Sequence, residues 1–406
     1  MSHQHPVEAL ANLRHEFGEH GGVNMSIEAS STFTVIDPGT MPEIFTGQKG
    51  PDNAGCYLYG RHFNPTVYNL SRQLAAMEGT ESAYCAASGM GAISAAILAL
   101  CEAGDHIVSS NTIYGGTYAL MHDFLPLKCG MTTSFVDSSD LDAVRSAITD
   151  KTRVLYVESV SNPTLRVANI PALADIAHSA GIPLVVDNTF SPLLISPAHL
   201  GADIVVHSMT KFIGGASDLI AGAVCASQAF IGQLMDLHTG PLMILGPTMD
   251  PNVAANIALR LPHLPLRMSA HGARALALAE RLQQRGTQVS YPGLATHPDN
   301  ALLAELGNAE FGAGGVLTID AGSKEKALEL MGALQNEQQF GFMAVSLGYF
   351  DTLMSCSASS TSSEMEDEDI QAAGISPGLV RLAVGYTGTL EQRWSQLEAA
   401  LDSVGM

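Results

Sequence analysis

Basic residues are scarce in this 406-residue chain: 19 Lys and Arg stand against 40 Asp and Glu, a formal net charge of −21. A surface this acidic repels nucleic acid and anionic membrane, so neither is expected as a partner. An anionic ligand would need local cations or helix N-termini to hold it. Long apolar runs are missing too. No stretch reaches the length of a membrane span and no apolar signal segment opens the sequence, so a cytoplasmic location is expected. The six cysteines, Cys56, Cys85, Cys101, Cys129, Cys225 and Cys356, include no CxxC pair. They read as reduced packing residues rather than metal ligands, and no metal is expected. Neither a Walker loop nor a Gly-x-Gly-x-x-Gly fingerprint is present, which leaves nucleotide binding unsupported.

What is abundant points to an enzyme. Hydrophobic residues make up 46%, charged residues only 15%, and there are 39 glycines. This composition suits a compact protein with core enough for two or three domains.

From about residue 106 to 225 the chain alternates. Strand-like runs at His106–Val108, Thr132–Val136, Val154–Val160, Leu184–Val186 and Ile204–Val206 are separated by helix-like runs at Thr117–Leu125, Leu141–Thr149 and Ile170–Ala180. Such alternation predicts an α/β fold with a mainly parallel sheet and helices on both faces. Before it, one short helix is expected within Met1–His20. Gly21–Tyr59 reads as an irregular arm, too apolar at Phe33, Val35, Ile44, Phe45 and Tyr57 for a solvated tail, and so as packed against another subunit. Asn64-Pro65-Thr66 reads as a turn with Thr66 capping a helix over Val67–Met77. Small residues at Ser88-Gly89-Met90-Gly91 open an apolar helix whose free N–H groups could meet an anion.

The stretch Ala202–Cys225 carries the most chemistry. A buried strand ends at His207-Ser208, Lys211 follows three residues later, and a second apolar run at Leu219–Val224 returns to the core. A lysine held between buried strands is poorly solvated, so its pKa falls and its neutral amine can attack a carbonyl to form a Schiff base. Ser208 and Thr210 supply hydroxyls at the same strand end. An exposed turn lysine fits this stretch equally well. Tyr59 and Arg61, two apart in an extended segment, present a phenol and a guanidinium to one side, a pair that suits phosphate. The alternative is a surface arginine beside a core tyrosine. Asp187, at the end of the apolar Leu184–Val186 run, needs a cationic partner such as a protonated pyridine, unless it is a turn or cap residue.

Taken together these segments resemble one family, the Cys/Met-metabolism enzymes that use pyridoxal 5′-phosphate (PLP). The resemblance rests on Tyr59-x-Arg61-x-x-Asn64-Pro65-Thr66, Ser88-Gly89-Met90 and Tyr114-Gly115-Gly116-Thr117. It continues through Glu158-Ser-x-Ser-Asn162-Pro163-Thr164, Val186-Asp187-Asn188-Thr189-Phe190 and His207-Ser-x-Thr-Lys211-Phe. Ala344-Val345-Ser346-Leu347-Gly348 and Gly378-Leu379-Val380-Arg381 extend it over essentially the whole chain. Within the family, the segments from His15 to Met25 and from Leu353 to Glu364 are similar to the plant-type methionine γ-lyase branch.

The resemblance implies the PLP-dependent transferase fold of type I, aspartate aminotransferase-like. It comprises an arm over residues 1–63 contacting a neighbouring subunit, a large PLP-binding domain over 64–262 and a smaller C-terminal α/β domain over 263–406. It implies that Lys211 carries the cofactor as an imine and moves protons, that Asp187 pairs with the pyridinium, and that Tyr114 stacks on the ring and protonates a leaving group. Ser88, Gly89, Met90, Ser208 and Thr210 would hold the phosphate, with Tyr59 and Arg61 reaching the phosphate of the neighbouring subunit. Asn162 would lie by the ring's phenolic oxygen, Arg381 and Ser346 would bind the substrate α-carboxylate, and Gly116 and Val345 would face its far end. Glycine there adds space, and valine stands where cystathionine γ-lyases carry glutamate. The implied reaction is α,γ-elimination of L-methionine or homocysteine in a homotetramer built as a dimer of dimers with shared sites. The alternatives are γ-replacement on an O-acylhomoserine (by an O-acetylhomoserine sulfhydrylase or cystathionine γ-synthase), cystathionine γ-lyase activity and, remotely, a non-catalytic binding protein on the same fold. Ser355–Asp369, serine-rich and then acidic, reads as a solvated loop placed to act as a lid.

Overall fold

The computed structural model describes residues 4–13, 17–356 and 375–406. Beyond Cys356, the expected lid lies outside the described residues.

Among these residues, seven strands form the larger sheet: β1 (Ser82–Ala86), β2 (His106–Ser110), β3 (Thr132–Val136), β4 (Thr152–Glu158), β5 (Leu184–Asp187), β6 (Ile204–Ser208) and β7 (Gly222–Ala226). Their order is β1-β7-β6-β5-β4-β2-β3. All pairings from β3 through β6 are parallel, and β7 alone runs against its neighbours β6 and β1. Helices cover both faces, so the central strands are apolar on both sides. Leu155, Val157, Leu184, Val186 and Val205 enter the core on one face. Val154, Tyr156, Val185, Ile204 and Val206 enter the core on the other. The strand order and parallel pairing place β4, β5 and β6 side by side with their C-terminal residues Glu158, Asp187 and Ser208 at one edge, where open parallel sheets bind ligands.

Two helices frame that edge. Pro65–Glu78 starts with proline at its first turn, and its cap is Asn64, whose Oδ1 accepts from the amides of Thr66 at 2.9 Å and Val67 at 3.3 Å. The expected cap, Thr66, is displaced from that role because Pro65 already fits the first helical position. Its Oγ1 instead accepts from Glu28 N–H in the arm at 2.9 Å. Gly89–Leu100 is capped by Ser88, whose Oγ accepts from Gly91 N–H at 3.0 Å. The short helix expected within Met1–His20 is Pro6–Asn12, and the stretch Gly21–Tyr59 is less irregular than expected, holding short helices at Thr40–Phe45 and Pro51–Ala54. The helix expected over Thr117–Leu125 is interrupted by a π-helical turn at Leu120–Phe124.

A second sheet follows, with β8 (Val289–Ser290), β9 (Val316–Asp320), β10 (Phe342–Met343), β11 (Leu353–Cys356) and β12 (Leu379–Ala383) in the order β10-β11-β12-β9-β8. The 22-residue helix Leu264–Arg285 joins the two halves. Its Leu264 and Met268 lie in the core of the large sheet, and its Ala275, Leu278 and Leu282 lie in that of the second. A bidentate pair, Arg166 Nε to Asp299 Oδ2 at 2.6 Å and Nη2 to Oδ1 at 3.2 Å, ties the loop after β4 to the C-terminal half. No helix among the described residues is long and apolar enough to cross a membrane.

Candidate active site

A cavity of about 230 Å³ opens between the C-terminal ends of β4, β5 and β6, the start of the Gly89–Leu100 helix and the C-terminal half. Ser88, Gly89, Met90, Tyr114, Asn162, Asp187, Ser208, Thr210, Lys211, Val345 and Arg381 line it together. Residues more than a hundred positions apart thus meet at one place.

Asp187 ends β5 and is buried. Burial pushes its carboxyl up, against hydrogen bonds from Thr189 and the charge of His207 behind the sheet. Its Oδ1 accepts from Thr189 N–H at 2.9 Å and its Oδ2 from the Tyr156 hydroxyl at 3.3 Å. On the opposite face His207 Nε2 meets Glu78 Oε1 at 2.7 Å, both side chains fully enclosed. Thr189 also holds the neighbouring strand, its Oγ1 accepting from Ser208 N–H at 2.8 Å. Lys211 follows β6, its ammonium pushed down to about 8 by burial and then by the charge of Arg381. Its Nζ donates to Ser346 Oγ at 3.0 Å, so Ser346 touches the lysine directly. Thr210 Oγ1 accepts from Ala221 N–H at 3.0 Å and donates to Ala221 O at 3.3 Å, which fixes the turn into β7.

Arg381 comes from β12 and is only 1% exposed. Its Nη1 donates to Asn162 Oδ1 at 3.0 Å and its Nη2 to the Ser346 carbonyl at 3.1 Å. Its Nε is buried without a partner among the described residues. Burial pushes the guanidinium down to about 10. A buried arginine with a donor to spare suits an incoming carboxylate.

Two expectations need correction or qualification. Gly116 gives no open space for substrate: a Cβ there would lie 2.6 Å from Tyr114 Cε1, because the Tyr114 ring already lies across it. Tyr59 and Arg61 stand away from this chain's cavity. The Arg61 guanidinium sits 5.6 Å from the Tyr59 ring centroid, and its Nη1 donates to the Met243 carbonyl at 2.9 Å. Sequence reasoning assigns no role to Ile93, Glu158, Val160, Thr189, Phe190, Ile220 or Leu347, which also line the cavity. Glu158, Thr189 and Phe190 lie inside the family motifs, and their position at strand ends is the signal that could have found them.

The residues present fit pyridoxal phosphate. Gly89 forms a cradle at the helix start, since a Cβ there would lie 2.7 Å from Ser208 Cβ, and Gly89 and Met90 are where the helix presents its first N–H groups. Asp187 is a buried carboxylate in need of a cation, and Lys211 an amine whose neutral form burial favours. Fold and site together define a pyridoxal-phosphate enzyme of fold type I. The chain belongs to the Cys/Met metabolism PLP-dependent enzymes, whose family pattern matches residues 8–401. It is 60% identical to a methionine γ-lyase of Arabidopsis thaliana over 97% of this chain and 90% of that protein. Identity to an L-methionine γ-lyase of Fusobacterium nucleatum subsp. polymorphum is 37% over 95% of each chain. Among solved structures, a Campylobacter jejuni protein carrying N′-pyridoxyl-lysine-5′-monophosphate superposes with a TM-score of 0.90 at 25% identity, over 98% of this chain and 100% of its own.

Proposed function

We propose that this protein catalyses α,γ-elimination of L-methionine, and of homocysteine, with water, giving methanethiol or hydrogen sulfide, 2-oxobutyrate and ammonia. The carrying observation is the charge inventory of the cavity. Its charged lining residues are Glu158, Asp187, Lys211 and Arg381. Glu158 is engaged by backbone amides and Arg381 suits a single carboxylate. No charged group among the described lining residues remains for a second amino-acid head, and Val345, Leu347, Ile93 and Ile220 offer apolar surface for a thioether. Burying the distal zwitterion of cystathionine unpaired would cost on the order of a few kcal/mol.

In this reading Lys211 holds the cofactor covalently, and Asp187 pairs with its ring nitrogen. Tyr114 would lie over the ring, Asn162 would stand by its phenolic oxygen, and Ser88, Gly89, Met90, Ser208 and Thr210 would receive its phosphate. When bound, pyridoxal phosphate supplies an electron sink for the substrate's Cα. Arg381 takes the α-carboxylate and so sets Cα–H against Lys211. As a neutral amine Lys211 Nζ would take the Cα proton, with Ser346 Oγ orienting it, and a second proton would leave Cβ before sulfur departs from Cγ. Tyr114 Oη delivers a proton to the departing sulfur. Val345 and Leu347 offer apolar surface to the thioether end.

We extend the proposal to assembly and location: an arm over 1–63, a large domain over 64–262 and a C-terminal domain over 263–406, in a cytoplasmic homotetramer of two dimers. Support for shared sites comes from Tyr59 and Arg61, which lie off this chain's own cavity, and from exposed Phe17, Ile36, Met41 and Phe45 on the arm.

The test is turnover of L-methionine, L-homocysteine, L-cystathionine, and O-acetyl-L-homoserine with sulfide, by purified holoenzyme. Methionine and homocysteine are expected to exceed cystathionine in kcat/KM. Preference for cystathionine, or condensation of O-acetylhomoserine with thiol at the expense of methionine cleavage, overturns it.

A further inference from the structure

Glu158 is an acidic side chain in a place that does not welcome one. It ends β4 directly opposite Asp187 on β5, in register, and both carboxyl groups are buried. Burial and then the charge of Asp187 push the Glu158 carboxyl well up. An isolated charge here would be expelled or neutralised unless it were bound. Two amides bind it. Glu158 Oε1 accepts from Tyr114 N–H at 2.7 Å, and Oε2 accepts from Asn162 N–H at 3.1 Å.

Those amides belong to separate loops. Tyr114 ends the loop after β2 and is the first residue before the Gly115–Ala119 helix, which has no side-chain cap of its own. Asn162 lies in the loop after β4, and its Oδ1 accepts from Arg381 Nη1 at 3.0 Å. One carboxylate therefore spans the backbone beneath the ring-stacking tyrosine and the backbone beneath the amide that orients the arginine. Gly115 and Gly116 follow one loop, and Asn162-Pro163-Thr164 lies in the other.

We propose that Glu158 is a positioning residue that links the Tyr114 cap over the cofactor to the Arg381 clamp for the substrate carboxylate. The inference rests on the roles given above to Tyr114 and Arg381. A glutamine at 158 keeps the volume but has one acceptor oxygen; whichever amide that oxygen takes, its NH₂ confronts the other, and the clash of two donors shifts the side chain off both loops. Leaving one buried amide without its acceptor corresponds to a loss of about tenfold in the process it supports.

The experiment uses the holoenzyme and Glu158→Gln, with two readouts that need no turnover. The first is visible circular dichroism of the bound cofactor, which reports how the Tyr114 ring sits on it. The second is the affinity for L-norleucine, which has the carboxylate and length of methionine but no leaving group, read from the change in cofactor absorbance. Both are expected to change in the one variant: the dichroism signal falls, and the norleucine Kd rises about tenfold. Glu158→Asp, with both oxygens retained on a shorter stem, is expected to restore one readout more than the other. If Glu158→Gln leaves either readout as in the wild type, or lowers only the melting temperature, the linking role is overturned. Neither readout involves elimination, so the role of Glu158 is tested even if the protein fails to cleave methionine.

Discussion

The two walls of the cavity are built differently. On the sheet wall, the carboxylates and strand ends are held by neighbours from the same half of the chain: Asp187 by Thr189 and Tyr156, Glu158 by two amides, Ser208 N–H by Thr189. On the C-terminal wall, Arg381 is enclosed but reaches across to Asn162, and Val345 is 66% exposed. In the proposed reading the fixed wall addresses the cofactor and sets what kind of chemistry is possible, and the other meets the substrate and sets which molecule undergoes it. Relatives with different substrates can therefore share one sheet wall and differ on the other.

The largest test of this contrast is Lys211→Ala. Elimination should fall by about 10⁴-fold, and cofactor fixed by borohydride should no longer map to a peptide containing residue 211. A label on another lysine in the wild type would move the catalytic position off this wall. Arg381→Ala should lower kcat/KM for methionine by about 10²-fold, mainly through KM, with cofactor content unchanged. Loss of cofactor in parallel would erase the distinction between the walls. Gly116→Cys is expected to displace the Tyr114 ring and lower kcat about tenfold. Steady-state rates beside visible dichroism check this, and an unaltered spectrum would show that the ring accommodates a side chain at 116. Val345→Glu should narrow the preference for methionine over cystathionine by up to about fivefold, as about 1 kcal/mol of exposed charge pairing allows.

The smallest effect concerns pH. With its amine pushed down to about 8 from the ordinary 10.5, Lys211 is half neutral near pH 8. Capture of pyridoxal phosphate by cofactor-free protein should rise with pH and level off above 8, whereas a solvated lysine would keep gaining reactivity toward 10.5. A rise continuing past about pH 9.5 would count against burial as the cause.

Much of the sheet wall is legible in the sequence because its residues follow apolar runs. Ile204–Val206 announces a buried strand, so what comes after it, Ser208 to Lys211, must lie at a strand end, and Leu184–Val186 does the same for Asp187. β1 is less visible, since Ser82–Ala86 is short, rich in small residues and merges into a helical run. Thr66 passes for a cap because pattern alone does not weigh Pro65 at the first helical position. The π-helical turn at Leu120–Phe124 keeps a helical spacing of apolar residues and leaves no mark in the sequence. Glu158 escapes assignment for another reason: its partners are backbone amides, which nearly every residue carries, so no residue type signals them.

The joining helix Leu264–Arg285 constrains how a substrate gets in. Arg267 on it donates from Nη2 to the Ile213 carbonyl at 2.9 Å, and His271 packs edge-on against Phe212 with ring centroids 5.1 Å apart. The backbone just beyond Lys211 is thus fastened to the same rod whose far end is embedded under the second sheet. A hinge at residue 263 would have to tear the rod from the lysine's own support. Opening by side chains and loops at the mouth leaves these contacts intact.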